Sequence, residues 1–268
     1  MQKIMIPETS LLVSRFVFGT ASLFSAGTRT RRHCILDAVV AHGLTHFDTA
    51  PYYGFGVAEL DLAPVLRRNP EVTITTKVGL YSPGGESQPN LSVFVRKAAG
   101  RLFSSLSQPI IDWSLAHARL SLEASLRRLG RDRIDLLLLH EPHHSSLSTE
   151  EWQRWLEDEV KSGRVRNFGI AGNTDRLEPF LDVHSPLAGI LQTNDSLLGK
   201  EADKILERRR PLQLTYGYVR DAKRRGSFDV RTILMQALTR NATGAVIVST
   251  RRLERVAIFA ATADEVAA

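Results

Sequence analysis

Four residues of this chain have the types and the order to move a proton onto a carbonyl oxygen: Asp48, Tyr53, Lys77 and His140. Asp48 and Tyr53 stand in THFDTAPYYGFGVAE, where a strand-like run ends in an acid and then delivers two tyrosines onto a glycine-flanked loop. Lys77 closes VTITTK, and His140 closes IDLLLLH. Carbonyl reduction needs an acid that protonates the developing alkoxide as hydride reaches carbon. A free tyrosine, with a pKa of about 10, is a weak donor. A neighbouring ammonium stabilises the phenolate and lowers that value, and Lys77 is the group expected to do so. Asp48 can hold the lysine charged and oriented, while His140 can donate to the carbonyl oxygen and fix its approach. None of the four supplies hydride, so the scheme needs a redox cofactor. No strand leads into a GxGxxG turn, and GFG at Gly54 to Gly56 is too short to count as one.

Such residues converge only if the chain brings strand ends together. Short β-branched or leucine-rich runs alternate with longer segments of helical period, as expected for repeated βα units and a parallel sheet buried on both faces. The expected strands are Phe16 to Gly19, Thr45 to Asp48, Thr73 to Lys77, Ile134 to His140, Val165 to Ala171, Gly189 to Thr193, Leu212 to Thr215 and Ala245 to Ser249. Expected helices include Arg31 to His42, Val57 to Arg68, Leu115 to Leu129, Glu150 to Ser162 and Val230 to Arg240, with Gly43, Gly130 and Gly163 as stops. Eight units make an α/β fold, a single (β/α)8 TIM barrel over residues 1–268, with strand-end residues sharing one mouth. Ahead of them, KIMIPETSLLVS reads as a hairpin covering the barrel bottom. The long irregular segment Gly79 to Asp112 follows the third strand and reads as a substrate gate or as disorder.

At 268 residues and 43% hydrophobic, the chain can bury one large core. The net charge of +6 includes arginine clusters at Arg208 to Arg210, Arg224 to Arg225 and Arg251 to Arg252. These suit a phosphate-bearing ligand or a solvated helix face. They lack aromatic interleaving, so no nucleic-acid partner is expected. The single cysteine, Cys34, excludes an internal disulfide and a Cys-based zinc cluster, and is expected at a core helix position. MQKIMIPETS lacks the apolar core of a signal peptide, and no window reaches the about 18 apolar residues of a membrane span. A soluble, cytoplasmic monomer without a membrane partner is the expectation.

The chain resembles the aldo-keto reductase family. The likeness rests on the four residues above together with FGTA at Phe18 to Ala21, SLRRLGRDRIDLLLLHEP and GRVRNFGIAGN. It implies NAD(P)(H)-dependent interconversion of a small-molecule carbonyl and its alcohol, with Tyr53 as the acid rather than Tyr52, because the family motif places the acid immediately before Gly54. It also implies that nicotinamide lies across the barrel mouth with its phosphates toward the last two strands. On that pattern the cofactor-binding positions are Gly19 and Thr20 of FGTA, Gln192 and Asn173 at the carboxamide, and Tyr216 stacked on the ring. The chain departs from the pattern by having Ala171, Gly172, Asn173 where a Ser-Asn pair is frequent, and Asp195, Ser196 where Tyr-Asn is frequent. In VIVSTRRLERV, Ser249 takes a position where a lysine is common, while Arg251, Arg252 and Arg255 can clamp a 2′-phosphate through bidentate bonds. NADPH is accordingly favoured over NADH. The end at ADEVAA implies a more open substrate pocket, which Trp113, Phe55 and Tyr81 could line.

Two other readings compete. His140, Glu141, His143 and His144 offer metal-ligand types at close spacing, as in a metal-dependent barrel hydrolase, but Pro142 interrupts any helix that would align them. Alternatively, a reductase-like fold holds a nucleotide as a redox sensor or docking module with little turnover, since function resides in the site and not the architecture.

Overall fold

The computed structural model describes residues 1–83, 85, 108–224, 226 and 229–267. The chain opens with the antiparallel hairpin β1 (Lys3–Met5) and β2 (Leu12–Ser14). The strands β3 (Phe16–Gly19), β4 (His46–Asp48) and β5 (Thr73–Val78) follow, then a small antiparallel pair, β6 (Leu80–Tyr81) and β7 (Ile110–Ile111). Next come β8 (Ile134–His140), β9 (Val165–Gly172), β10 (Leu191–Asn194), β11 (Leu214–Tyr216) and β12 (Ala245–Val248). Strands β3, β4, β5 and β8 to β12 close into a barrel in which each pairs in parallel with its neighbour, and β12 returns to β3 through Val246 opposite Phe16. All eight expected units are present.

Alternation along each strand separates two cores. Phe16, Phe18, Phe47, Ile74, Leu137 and Leu139 face the outer helices, whereas Val17, Leu136, Leu138, Leu214 and Ala245 fill the barrel interior. Ile6, Leu11 and Val13 of the hairpin join the interior cluster, so the N-terminal segment is the stopper that the sequence suggests. Arg15, buried between hairpin and barrel, clamps the closure by donating to Leu238 O (2.7 Å), Asn241 O (3.0 Å) and Gly244 O.

Helices Val57–Arg68, Leu115–Leu129 and Val230–Arg240 have the expected bounds. Helix Arg29–Ala41 starts earlier than expected, because the Thr28 hydroxyl accepts the Arg31 N–H at 3.3 Å and caps it there. On that helix the buried positions are Arg32, Ile35, Leu36 and Val39, and Cys34 falls on the opposite face. The expected core cysteine is therefore exposed. Arg32 takes the inward place because Asp61 accepts its Nε–H in a buried ion pair. Helix Thr174–Asp182 is hidden in the sequence by its short length and its internal Pro179. Strand β10 starts at Leu191, two residues beyond expectation, because a turn of 3₁₀ helix at Pro186–Ala188 occupies the approach.

The clusters and loops divide similarly. Arg208 pairs with Asp182 at 2.6 Å, and Arg210 donates to Ala188 O and Gly189 O, so both serve the scaffold. Arg225 and most of segment 79–112 lie outside the described residues, as does the gating role expected of that segment. Trp113 packs edge-on against Trp152, and Tyr81 stacks on His117 at 3.9 Å. Phe55 sits against Tyr52. None of the three lines the main cavity.

Inside the barrel below Asp48, His46 is fully buried between Thr73 and Thr75, with each ring nitrogen 2.7 Å from a hydroxyl. Burial first, and then the charge of Lys77, holds its pKa down at about 3. The unfolded chain takes up a proton near pH 6.5 that the folded chain refuses, so this stability is present above pH 6.5 and lost as pH falls. Between pH 7 and pH 5 the loss from this one group is about 2 kcal/mol. Urea midpoints at the two pH values should show it, and His46→Asn should show a correspondingly shallower loss. An identical pH dependence in the variant would contradict a neutral buried histidine.

Candidate active site

Because β4, β5 and β8 are neighbours, their last inward-facing residues meet. Asp48 and Lys77 are 3% and 2% exposed. The Lys77 ammonium donates to both Asp48 carboxylate oxygens, with Oδ1 at 2.5 Å, and to Thr49 O at 3.0 Å. It also reaches Tyr53 Oη at 3.3 Å. Tyr53 meets His140 edge-on, with ring centroids 5.8 Å apart. The turn after Tyr53 places three successive residues in the left-handed region, Gly54 (φ 63°), Phe55 (φ 58°) and Gly56 (φ 84°). Two glycines make that reversal accessible, and it hands the chain to helix Val57–Arg68 with Tyr53 left over the mouth.

Burial sets the protonation states. Tyr53 is pushed well above its ordinary value, by burial first and then by the charges of Asp48 and Glu141. The expected lowering by Lys77 is not found: withdrawal from water and two carboxylates outweigh one ammonium, and the phenol rests as a neutral O–H. His140 is held well below 6.5 by burial and by Lys77, so its imidazole is neutral. Lys77 is itself lowered by burial, with Asp48 opposing. Tyr53 as a phenol and His140 as a neutral imidazole can each donate a hydrogen bond into the cavity.

The four residues open into a cavity of about 1020 Å³, large enough for a dinucleotide and a small substrate. Gly19, Asn173, Gln192, Tyr216, Ser249, Arg251 and Arg255 all line it, as does Arg252. Thr20 does not. Its hydroxyl donates to Asp48 O (3.1 Å) and contacts Thr49 (2.9 Å), so it supports the Asp48 turn from behind. Asn173 caps helix Thr174–Asp182, its side chain accepting the Arg176 N–H. Gln192 donates to Asp48 Oδ1 at 2.9 Å, which ties β10 to the ion pair, and its buried Oε1 has no hydrogen-bond partner among the described residues. An orphaned amide oxygen at the mouth is the kind of acceptor a ligand amide would satisfy. The residues present therefore fit a nicotinamide carboxamide. Arg251, Arg252 and Arg255 make no ion pair within the described residues, in contrast to Arg208.

The sequence reading missed Arg31, Arg220 and Lys223, which also line the cavity. Arg220 and Lys223 lie on the short helix Tyr218–Arg224, and only its place directly after β11 marks it. The reading took Glu141 only as a metal ligand, although its position immediately after His140 puts it at the mouth. The histidine cluster disperses: His143 contacts Arg176, His144 packs edge-on against Phe180, and His140 faces Tyr53. No group of three metal-ligating side chains occurs among the described residues.

The chain is thus a closed (β/α)8 barrel with Asp48, Tyr53, Lys77 and His140 gathered at its strand ends. The family model of the aldo/keto reductase family matches residues 15–180, and the chain belongs to that family. It is 30% identical over 177 residues to 6-dehydroglucose reductase of Agrobacterium fabrum (strain C58 / ATCC 33970), covering 64% of this chain and 54% of that protein. It is 32% identical over 173 residues to D-threo-aldose 1-dehydrogenase of Pseudomonas sp, covering 60% and 50%. The chain thus spans about half the length of these two relatives. Among solved structures, a glycerol dehydrogenase from Gluconobacter oxydans superposes with a TM-score of 0.72 over 98% of this chain and 94% of that one, at 18% identity. At that identity the likeness concerns the fold. No helix of the described residues is long and apolar enough to cross a membrane.

Removing one member of a buried ion pair leaves the other charge uncompensated. Lys77→Met should therefore destabilise the protein by about 3–5 kcal/mol, read as a lower denaturant midpoint, and Lys77→Met with Asp48→Asn should recover part of it. A double variant no more stable than the single would contradict a direct coupling.

Proposed function

We propose that the protein is an oxidoreductase that uses a nicotinamide cofactor, NADPH in preference to NADH, to reduce an aldehyde or ketone to its alcohol or to run the reverse. The observation that carries this is the single Lys77 ammonium bound at once to Asp48 and, at 3.3 Å, to Tyr53 Oη in a cavity also lined by Arg251, Arg252 and Arg255. When bound, the cofactor supplies the hydride. Tyr53 donates its proton to the carbonyl oxygen, and Lys77, already donating to the phenol oxygen, stabilises the phenolate left behind. Neutral His140 donates a hydrogen bond to the same carbonyl oxygen and orients it. Asp48 keeps Lys77 in place, and solvent returns the proton to Tyr53 after each turnover.

The preference for NADPH rests on Arg251, Arg252 and Arg255, which offer guanidinium groups to a 2′-phosphate. A relative named NADH-specific methylglyoxal reductase, from Escherichia coli (strain K12), is 27% identical over 219 residues, so family membership leaves the choice open and this chain's own arginines support it. The single, unpaired Cys34 is compatible with a cytoplasmic enzyme, proposed as a monomer, acting on a small-molecule carbonyl or alcohol.

Titration with NADPH and NADH, followed by quenching of intrinsic fluorescence, tests the reading. Arg255→Ala should weaken NADPH by roughly tenfold while leaving NADH little changed, as expected for one lost guanidinium–phosphate contact of about 1.5 kcal/mol. Tyr53→Phe should still bind nucleotide but turn over a reactive carbonyl such as methylglyoxal 10²–10⁴-fold more slowly, roughly the contribution of a general acid. Binding without turnover in the wild type would favour the sensor reading. Binding of neither nucleotide would remove the oxidoreductase reading.

A further inference from the structure

Two carboxylates line the main cavity, Asp48 and Glu141. Asp48 is neutralised by Lys77 and held by Gln192. Glu141 has no ion pair within the described residues. The backbone puts it where it is: Glu141 adopts φ 56°, a left-handed conformation that a non-glycine residue holds at some cost, and such strain concentrates at functional sites. Its N–H donates to Ala171 O at 2.6 Å, which pins the kink to the end of β9. Its Oε2 accepts the Asn173 N–H at 3.4 Å, at the start of helix Thr174–Asp182.

Room for the carboxylate comes from Gly172. A Cβ at that position would stand 3.2 Å from Glu141 Oε2 and 3.3 Å from Arg176 Cβ, so both would have to give by a few tenths of an ångström. Gly172, in the stretch where the family often has a Ser-Asn pair, thus leaves the Glu141 carboxylate unhindered. Ala171 and Gly172 register against Gln192 and Thr193 of β10, so this carboxylate lies beside the strand that carries the orphaned amide oxygen. Its charge reaches Tyr53 and Tyr216 alike, helping to raise both phenols. Both rings line the cavity.

We propose that Glu141 is a further cofactor-discriminating residue, a fixed negative charge at the nicotinamide end of the cleft that favours the oxidised, cationic nicotinamide over the reduced, uncharged one. This rests on the function proposed above. Gln192, Tyr216 and Asn173 provide contacts that do not depend on the redox state, whereas a carboxylate acts on the one feature that differs, the positive charge of the pyridinium ring. By linkage, holding the oxidised form more tightly makes the bound reduced form a stronger hydride donor, and so Glu141 biases the site toward carbonyl reduction.

The test is a binding ratio and needs no turnover. Dissociation constants for NADP⁺ and NADPH are measured by fluorescence quenching at pH 8 in wild type, Glu141→Gln and Glu141→Asp. The ratio Kd(NADP⁺)/Kd(NADPH) should rise on the order of tenfold in Glu141→Gln, the scale of one charge acting at several ångströms in a partly screened cleft, and stay within about threefold of wild type in Glu141→Asp. The nicotinamide-free fragment 2′-phospho-ADP-ribose should bind all three equally. Arg176→Met, which removes the cation facing Glu141 from the neighbouring helix, should lower the ratio and gives a readout if Glu141→Gln fails to fold. A ratio unchanged in both Glu141→Gln and Arg176→Met overturns the proposal. So does an Asp variant that behaves like the Gln variant, because shape rather than charge would then be responsible. If wild type binds neither nucleotide, the proposed function falls with it, whereas binding with an unmoved ratio removes only the role of Glu141.

Discussion

The Asp48–Lys77 ion pair is the constraint on which the upper half of the barrel depends. Withdrawing both charges from water is costly, and the attraction between them compensates only when the remaining donors and acceptors are satisfied. The barrel supplies those partners from separate places: Thr49 O from the turn after β4, the Tyr53 hydroxyl from the following loop, and the Gln192 amide from β10 across the interior. Register and charge are thereby coupled. A slip of one residue in β4 or β5 would turn Asp48 or Lys77 toward the helices and leave a bare charge inside the barrel. The pair that holds Lys77 against the Tyr53 hydroxyl is also a check on strand alignment.

Stability and chemistry occupy opposite ends of the same strands. At the lower end the hairpin residues Ile6, Leu11 and Val13 seal an apolar interior, and Arg15 fastens the first strand to the last unit through backbone carbonyls. Nothing there faces the cavity. At the upper end the polar groups converge, and the Gln192 amide oxygen, without a partner among the described residues, and the strained Glu141 are found there. The lower end thus carries the packing that holds the barrel closed, and the upper end carries the polar groups that line the cavity.

Much of this was legible in the sequence because period and punctuation are local. Strands ending in Asp48, Lys77 and His140 are marked by apolar runs that stop at a polar residue, and helices such as Leu115–Leu129 are bounded by Ser114 and Gly130. What could not be read depended on partners distant in the chain. Cys34 looked like core because its neighbours are apolar, but Asp61 draws Arg32 inward and rotates the cysteine to solvent. The direction of the Tyr53 shift needed the depth of burial, which no spacing reveals. Thr20 sits in a recognisable FGTA segment, yet its hydroxyl serves the Asp48 turn.

The charge layout of the cavity follows from the same topology. In the closed ring, β12 lies four strands from β8 in either direction, so the arginines that follow β12 and the carboxylate that follows β8 stand on opposite sides of the mouth. A ligand with phosphates at one end and a ring that becomes cationic at the other meets complementary charge in only one orientation. Lys77 on β5 and Tyr53 in the loop after β4 stand on the Glu141 side of the ring, which under the proposed function is the nicotinamide end. The order of strands around the barrel thus sets the charge layout that the proposed dinucleotide would meet, before any specific contact is made.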